Sequence, residues 1–424
     1  MIRTQSSRID NMIDNVRSDT EIYRIYSELI NANYPSFLGK FGINNSAMKA
    51  EDAVIIDSYG KEYIDCVSGF GLFSIGHNRT KIIMDLITQL KKNQLLAKPL
   101  ISKIQVEASE KIAEIVPNGL SNSFLCNSGS EAIDSALKLA RLYTGKSEII
   151  SAKDSFHGIT YGALSATGIE SFRKFFTPLL PDIIQVDFGN IDDIKENISA
   201  NTAAILLEPI QYEAGIHIPD EEYMKEIREI CDYHDILLIL DEIKTGMGKT
   251  GFMFCCEHFG ISPDILVLGK ALGGGLIPVG AVVSNKKIWK KFSLSFPMAA
   301  STFGGNVLAC RAVLSTIEII QEDKLVKSAL RKGNLLYNEL KSIVHRYPGI
   351  FQNIKGLGLL MGIKARNKNI AFKISKRMIH KGILMLPAYG DRSTIIVEPP
   401  YVITKNQISY LIDTFNKVCS EIQR

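Results

Sequence analysis

No apolar run in this 424-residue chain approaches the ~20 residues that a membrane-spanning helix needs. Charge of one sign is also missing. The 49 basic and 45 acidic residues leave a net charge of +4, and no Lys/Arg block stands out, which gives no support for a nucleic-acid partner. None of the seven cysteines forms a Cys-x-x-Cys pair, and no His/Cys cluster has zinc spacing. They read as buried, reduced thiols, and no metal is expected. No segment repeats with a period of 20–50 residues, and no low-complexity stretch occurs. Dinucleotide and P-loop signatures are absent too: Gly246-Met247-Gly248-Lys249-Thr250 ends like a P-loop but lacks its first glycine. The segment Met1–Thr20 is polar and mixes Arg with Asp, without the apolar centre of a signal peptide. The expectation is a cytoplasmic protein with no membrane partner.

What is present is alternation. With 46% hydrophobic residues, the chain can build one large domain and a smaller one. A helix is predicted over 20–32 and a hairpin over 54–65. Strands are predicted at 123–126, 147–151, 203–207, 236–240 and 265–268, separated by helices near 130–143, 191–198 and 221–233. Such alternation predicts an α/β fold with a mostly parallel sheet covered on both faces. Beyond about 325 the pattern shifts to helices near 325–345, 368–381 and 405–422, with short strands near 357–363 and 394–398. The expected division is a large domain over 76–324 and a smaller α+β domain over 325–424, joined by the N-terminal segment 1–75.

Two apolar runs each deliver a charged group at their carboxyl end: Ile236–Leu240 leads to Asp241, and Ile265–Leu268 leads to Lys270. In open α/β sheets ligands bind at that edge. An amine and a carboxylate placed there suit pyridoxal phosphate (PLP): the amine can bond its aldehyde, and the acid can hold its pyridine nitrogen protonated. A tight turn, Asn127-Ser128-Gly129-Ser130, opens a helix with apolar residues at 133, 136, 137 and 140. Gly129 lets the backbone approach an anion, Ser130 offers a cap and a hydroxyl, and the helix start adds N–H groups and partial positive charge. Ser301-Thr302-Phe303-Gly304-Gly305-Asn306 is a second candidate of this kind.

Taken together these stretches resemble the class III (ornithine/putrescine-type) aminotransferases, which are fold-type I PLP enzymes. The likeness runs from about Ala53 to Thr404. It rests on NSGSEA (127–132), SFHG (155–158), LLEPIQ (206–211), LDEIKTGMGKTG (240–251), GKALGGGLIPVGA (269–281) and STFGGN (301–306). Three further stretches, 63–77, 172–181 and 252–258, resemble the putrescine subgroup in particular. The resemblance implies that Lys270 bonds the cofactor and shuttles the proton, and that Asp241 pairs with the pyridine nitrogen. It implies that Gly129 and Ser130 bind the phosphate, that Phe156 stacks on the ring, and that His157 supports that loop. Gln211 is expected near the phenolic oxygen, with Glu208 and Glu213 shaping the substrate side. Thr302 is expected to reach the phosphate of a neighbouring subunit, which implies a homodimer.

The chain departs from the family pattern at several positions. Ile396 stands where members acting on α-amino acids carry the Arg that clamps the α-carboxylate. Arg392 is near in sequence and would be an exposed loop residue. Lys244 replaces a Gln beside the cofactor, where a cation would alter its electronics or contact an anionic substrate. Tyr212 and Ala214 replace glycines, Lys249 and Lys355 replace arginines, and Val307 replaces a proline. The expectation is transamination of a primary amine distal to any α-carboxylate, such as a diamine, with a keto or aldehyde acceptor. Alternatives are an aminomutase, racemase or decarboxylase on the same cofactor, or an ω-aminotransferase of ornithine or diaminobutyrate. A PLP-binding regulator would need a DNA-binding domain, and the N-terminal arm has no helix-turn-helix.

Overall fold

The computed structural model describes residues 17–92, 100–294 and 300–424. Most of the polar segment Met1–Thr20 therefore lies outside the described residues. Helix Asp19–Leu29 is followed by β1 (Ala47–Glu51) and the predicted hairpin of β2 (Val54–Asp57) and β3 (Glu62–Asp65). The seven-stranded central sheet follows: β4 (Asn122–Cys126), β5 (Glu148–Ala152), β6 (Ile183–Val186), β7 (Thr202–Leu207), β8 (Leu237–Asp241), β9 (Ile265–Leu268) and β10 (Gly280–Ser284). Its spatial order is β4-β10-β9-β8-β7-β5-β6. Every residue of β7, β8 and β9 is buried, which is why they read as near-continuous apolar runs rather than alternating ones. The other strands are β11 (Phe351–Leu357), β12 (Leu360–Ala365), β13 (Ile383–Leu384) and β14 (Thr394–Val397).

Strand β10 has no counterpart among the sequence expectations. It runs antiparallel to both β9 and β4. The physical reason is the short link. Between Leu268 and Gly280 the chain makes only a 3₁₀ turn, Lys270–Gly273, too little for the helical crossover that a parallel strand requires. The rest of the sheet is parallel.

Helix Gly129–Thr144 buries Ile133, Ala136, Leu137 and Ala140 against the sheet and ends at Gly145 in the left-handed region, φ +73°. The N-terminal strands join C-terminal ones: β3 pairs in parallel with β13, Ile64 opposite Ile383. Three backbone bonds continue that seam. Cys66 N–H donates to Leu384 O at 3.0 Å, Glu398 N–H to Cys66 O at 2.8 Å, and Tyr401 N–H to Ser74 O at 2.8 Å. A buried pair, His77 Nε2 and Asp65 Oδ2 at 2.8 Å, ties the two ends of the segment 65–77 together.

Candidate active site

Strands β8 and β9 run side by side, with Asp241 opposite Val267. They therefore release Asp241 and Lys270 at one edge. Gly269 is extended, and Lys270 then turns into the left-handed region at φ +43°. That conformation costs a side-chain-bearing residue of order 1–2 kcal/mol. It starts the 3₁₀ turn and aims the chain back toward β10. Asp241 and Lys270 line one cavity, together with Ser128, Gly129 and Ser130 of the turn after β4. The two groups that the sequence paired by chemistry are thus brought together in space.

Asp241 is 4% exposed, and its carboxylate is held at both oxygens. Oδ1 accepts from Ile243 N–H at 3.0 Å, and Oδ2 lies 2.8 Å from His157 Nδ1. An ionised carboxylate only accepts, so His157 donates from Nδ1. This pairing was not visible in the sequence, where the two residues stand 84 positions apart.

At the helix start the capping residue is Ser128, not Ser130. Ser128 Oγ accepts from Glu131 N–H at 3.2 Å, whereas Ser130 Oγ accepts from Ile159 N–H at 3.3 Å. Ser-Gly-Ser offers two candidate caps two residues apart, and only the backbone trajectory selects between them. The outcome ties the turn to the Ser155–Gly158 loop. Gly158, at φ +136°, lies so close that a Cβ there would collide with Ser130 Oγ. Gly129 rests on Ile243, where a Cβ would stand 2.8 Å from Cδ1.

Phe156 and Ile243 add apolar surface to the cavity wall. Ile243 was missed in the sequence because an isoleucine after a buried strand reads as core. Phe156 N–H donates to Glu208 Oε1 at 2.9 Å. Burial pushes the Glu208 carboxyl up to about 7, with His157 opposing and Asp241 reinforcing the shift. Glu213 also lines the cavity. Its Oε2 accepts from Tyr389 N–H at 2.9 Å, and burial raises its carboxyl above the ordinary range. No ion pair involves Glu213 among the described residues.

Lys244 lines the same wall. Its Nζ lies 2.6 Å from Glu398 Oε2 and 3.5 Å from the centre of the Tyr212 ring. Burial drives its ammonium down to about 7, against the pull of Glu398. Lys249 Nζ reaches the other oxygen of Glu398 at 3.4 Å. Glu398 had no place in the sequence reading, because its partners stand some 150 positions earlier.

Gln211, expected near the phenolic oxygen, does not line this cavity, and neither do Thr302, expected at a neighbouring subunit's phosphate, and Arg392, expected as an exposed loop residue. Gln211 turns its amide to Lys153 O at 2.8 Å and pairs through its backbone with His217. Thr302 is exposed, in a loop tied to Asn127 Nδ2 through Ser301 Oγ at 3.1 Å. Arg392 is exposed and lines a separate groove with Phe37 and Lys368. Ile396 lies within β14, 2% exposed, and its N–H donates to Leu386 O.

The family model for class III aminotransferases matches residues 42–419. Among solved structures, the ornithine aminotransferase of Toxoplasma gondii ME49 is 26% identical with a TM-score of 0.90, over 98% of each chain. The acetylornithine aminotransferase of Elizabethkingia anophelis is 28% identical with a TM-score of 0.82, over 96% of this chain and 100% of that one. A PLP-bound amine transaminase from an uncultivated Pseudomonas species is 25% identical with a TM-score of 0.82, over 89% and 95%. With its family match spanning nearly the whole chain and its fold shared end to end, this protein belongs to the class III aminotransferases, enzymes that work with pyridoxal phosphate.

Proposed function

We propose that this aminotransferase takes the amino group from a primary amine distal to any α-carboxylate, with a diamine such as putrescine as the leading donor. The observation that carries this reading is Glu213. It is a carboxylate in the cavity wall that makes no ion pair among the described residues, although Lys244 and Lys270 stand near enough to act on it, while the family's carboxylate-clamping Arg is replaced by the core residue Ile396. A wall of that character receives the second ammonium of a diamine through a charge-assisted hydrogen bond. It offers nothing from position 396 to an α-carboxylate.

The residues fit PLP. The first-turn N–H groups at Gly129 and Ser130 face the cavity with the positive end of a 16-residue helix, a natural seat for the phosphate. Gly129 has no side chain to fill that cradle. Phe156 and Ile243 provide flat apolar contact for a ring, and the His157-anchored Asp241 provides a fixed acceptor for a ring N–H. Bound PLP supplies a conjugated ring that takes up charge when the substrate carbon loses a proton. Lys270 Nζ moves that proton as base and then acid, a contribution of roughly 10²–10⁴-fold. Glu208 fixes the Phe156 backbone, and burial raises its carboxyl to about 7.

The test uses the yellow holoenzyme mixed with putrescine, ornithine, a monoamine of matching length and glutamate. The expected result is loss of the yellow band fastest with putrescine, and at least ~10-fold slower with glutamate, the discrimination expected from one missing charge-assisted contact. Glutamate reacting as fast as putrescine would overturn the donor assignment. The active unit proposed with this reading is a homodimer in which Thr302 reaches the partner's phosphate site.

A further inference from the structure

A second cavity, of about 180 Å³, opens between helix Asn33–Lys40, helix Lys368–His380 and the loop 387–392. We propose that it is a binding site for a small aromatic carboxylate, separate from the cavity that takes the substrates.

Its wall is made of rings. Phe37, Phe41, Phe372 and Tyr389 line it. They hold one another in place. Phe37 and Phe41 meet edge to face with centroids 5.2 Å apart, Phe41 and Phe372 lie at 4.7 Å, and Phe37 and Tyr389 stack at 6.3 Å. Phe41 is 3% exposed and Tyr389 is 40% exposed, so the cluster is rooted in the core and open on one side. Rings in such a wall favour a planar aromatic guest over a saturated one of equal size. A cavity of ~150 Å³ takes a benzene ring, so a single ring with a small head group matches the space.

The rim is basic. Lys40, Lys368 and Arg392 line it, and no acidic residue does. None of the three makes an ion pair or a side-chain hydrogen bond among the described residues. The two acids behind the loop are engaged elsewhere: Asp391 pairs with Lys364 at 2.6 Å, and Glu213 accepts from Tyr389 N–H. Arg392 stands close enough to Tyr389 to act on its phenol. A guanidinium beside an apolar wall suits a carboxylate carried on a ring, since its fork gives two parallel donors while the rings bury the hydrophobic body. A neutral aromatic leaves the cations unanswered, and an ammonium is repelled by them. The groove is therefore opposite in character to the Glu213 wall of the catalytic cavity. The two cavities share no lining residue. Between them stands the loop 387–392, with Tyr389 N–H turned to Glu213 and the Tyr389 ring turned to the groove.

The test titrates the holoenzyme with 4-fluorobenzoate, followed by fluorine NMR at fixed ionic strength. Saturable binding at one site per chain is expected. Benzoate is expected to displace the probe at least ~10-fold more effectively than benzyl alcohol, which lacks the charge, and about 3-fold more effectively than cyclohexanecarboxylate, which lacks the flat ring. Arg392→Gln is expected to weaken binding roughly 10-fold, the low end for a hydrogen bond to a charged group because Arg392 is exposed. Lys368→Gln, at a second exposed position, is expected to weaken it at least ~2-fold. Both substitutions lie on the surface and are expected to leave the fold and the half-reaction with an amine donor unchanged. Lys244→Gln, in the catalytic wall, is expected to leave the affinity for 4-fluorobenzoate unchanged. Affinity that falls in Lys244→Gln but not in Arg392→Gln would put the probe in the catalytic cavity and overturn the proposal. Absence of saturable binding, or equal displacement by benzyl alcohol, overturns it too. None of these readouts depends on which amine is the natural donor, so failure of putrescine to react would sink only the donor reading.

Discussion

Single residues at this site act through what they lack as much as through what they carry. Glu213 has a hydrogen bond from Tyr389 N–H but no ion pair among the described residues, so its proposed role is to receive an ammonium from the donor. Glu213→Gln is expected to lower the putrescine-to-monoamine rate ratio about 10–100-fold in the half-reaction. An equal loss for both amines would assign Glu213 to the architecture instead. Glu242 carries a different message. Its oxygens accept from Cys255 N–H, Cys256 N–H and Thr245 Oγ, yet burial pushes its carboxyl up to about 7. A carboxyl raised on folding adds stability that is complete below its unfolded value of 4.5 and is lost as pH rises through 7. Chemical denaturation between pH 4.5 and 7 is therefore expected to lose up to about 1.4 kcal/mol per pH unit from this one group. The difference between wild type and Glu242→Gln across that window measures it. A difference that does not vary with pH would place the proton elsewhere. Asp241 and Lys270 were legible from sequence because each ends an apolar run. The His157 bond to Asp241 was not, since a contact between separate loops leaves no mark on local pattern.

Among the elements, β10 matters most for the phosphate turn. It pairs with β4, Gly280 opposite Cys126, and a Cβ on Gly280 would collide with the Ser128 carbonyl oxygen. That carbonyl belongs to the cap of helix Gly129–Thr144. Gly280→Ala is expected to destabilise the protein by about 1–3 kcal/mol through overpacking and to weaken PLP binding measurably. Gly349, where a Cβ meets nothing within 4 Å, is the control, with a change under ~0.5 kcal/mol. Thermal melts of apo and holo forms separate the two effects. Sequence alone named the strands on either side of β10: β9 as a buried apolar run, and β4 as the strand leading into the phosphate turn. It passed over Gly280–Ser284, because the short run Ala281-Val282-Val283 after a glycine-rich stretch has no period of its own.

Across the whole molecule, the wall of the cavity is assembled from segments hundreds of residues apart. Ser68 Oγ donates to Glu398 O at 2.5 Å, and Tyr401 Oη donates to Met247 O at 3.0 Å. These bonds bring the chain near 68, 247 and 398 to one place. A second whole-molecule feature is apolar surface beside the site. Ile159 and Tyr161 follow the loop that carries His157, Phe303 adjoins Thr302, and all three are more than half exposed. Light scattering is expected to give twice the mass of one chain, and Thr302→Ala to weaken PLP binding roughly 10-fold through loss of one phosphate hydrogen bond. A monomer with full activity would remove the partner from the mechanism. The sequence by itself determined the alternating elements, the acid and the amine at adjacent strand ends, the phosphate turn and the loss of the family's Arg at Ile396, because each is written in local pattern or in a motif. Only the tertiary structure decided which serine caps the helix and which carboxylate answers Lys244. Those depend on approaches between distant segments, and the balance of buried charge exists only once the chain has closed around it.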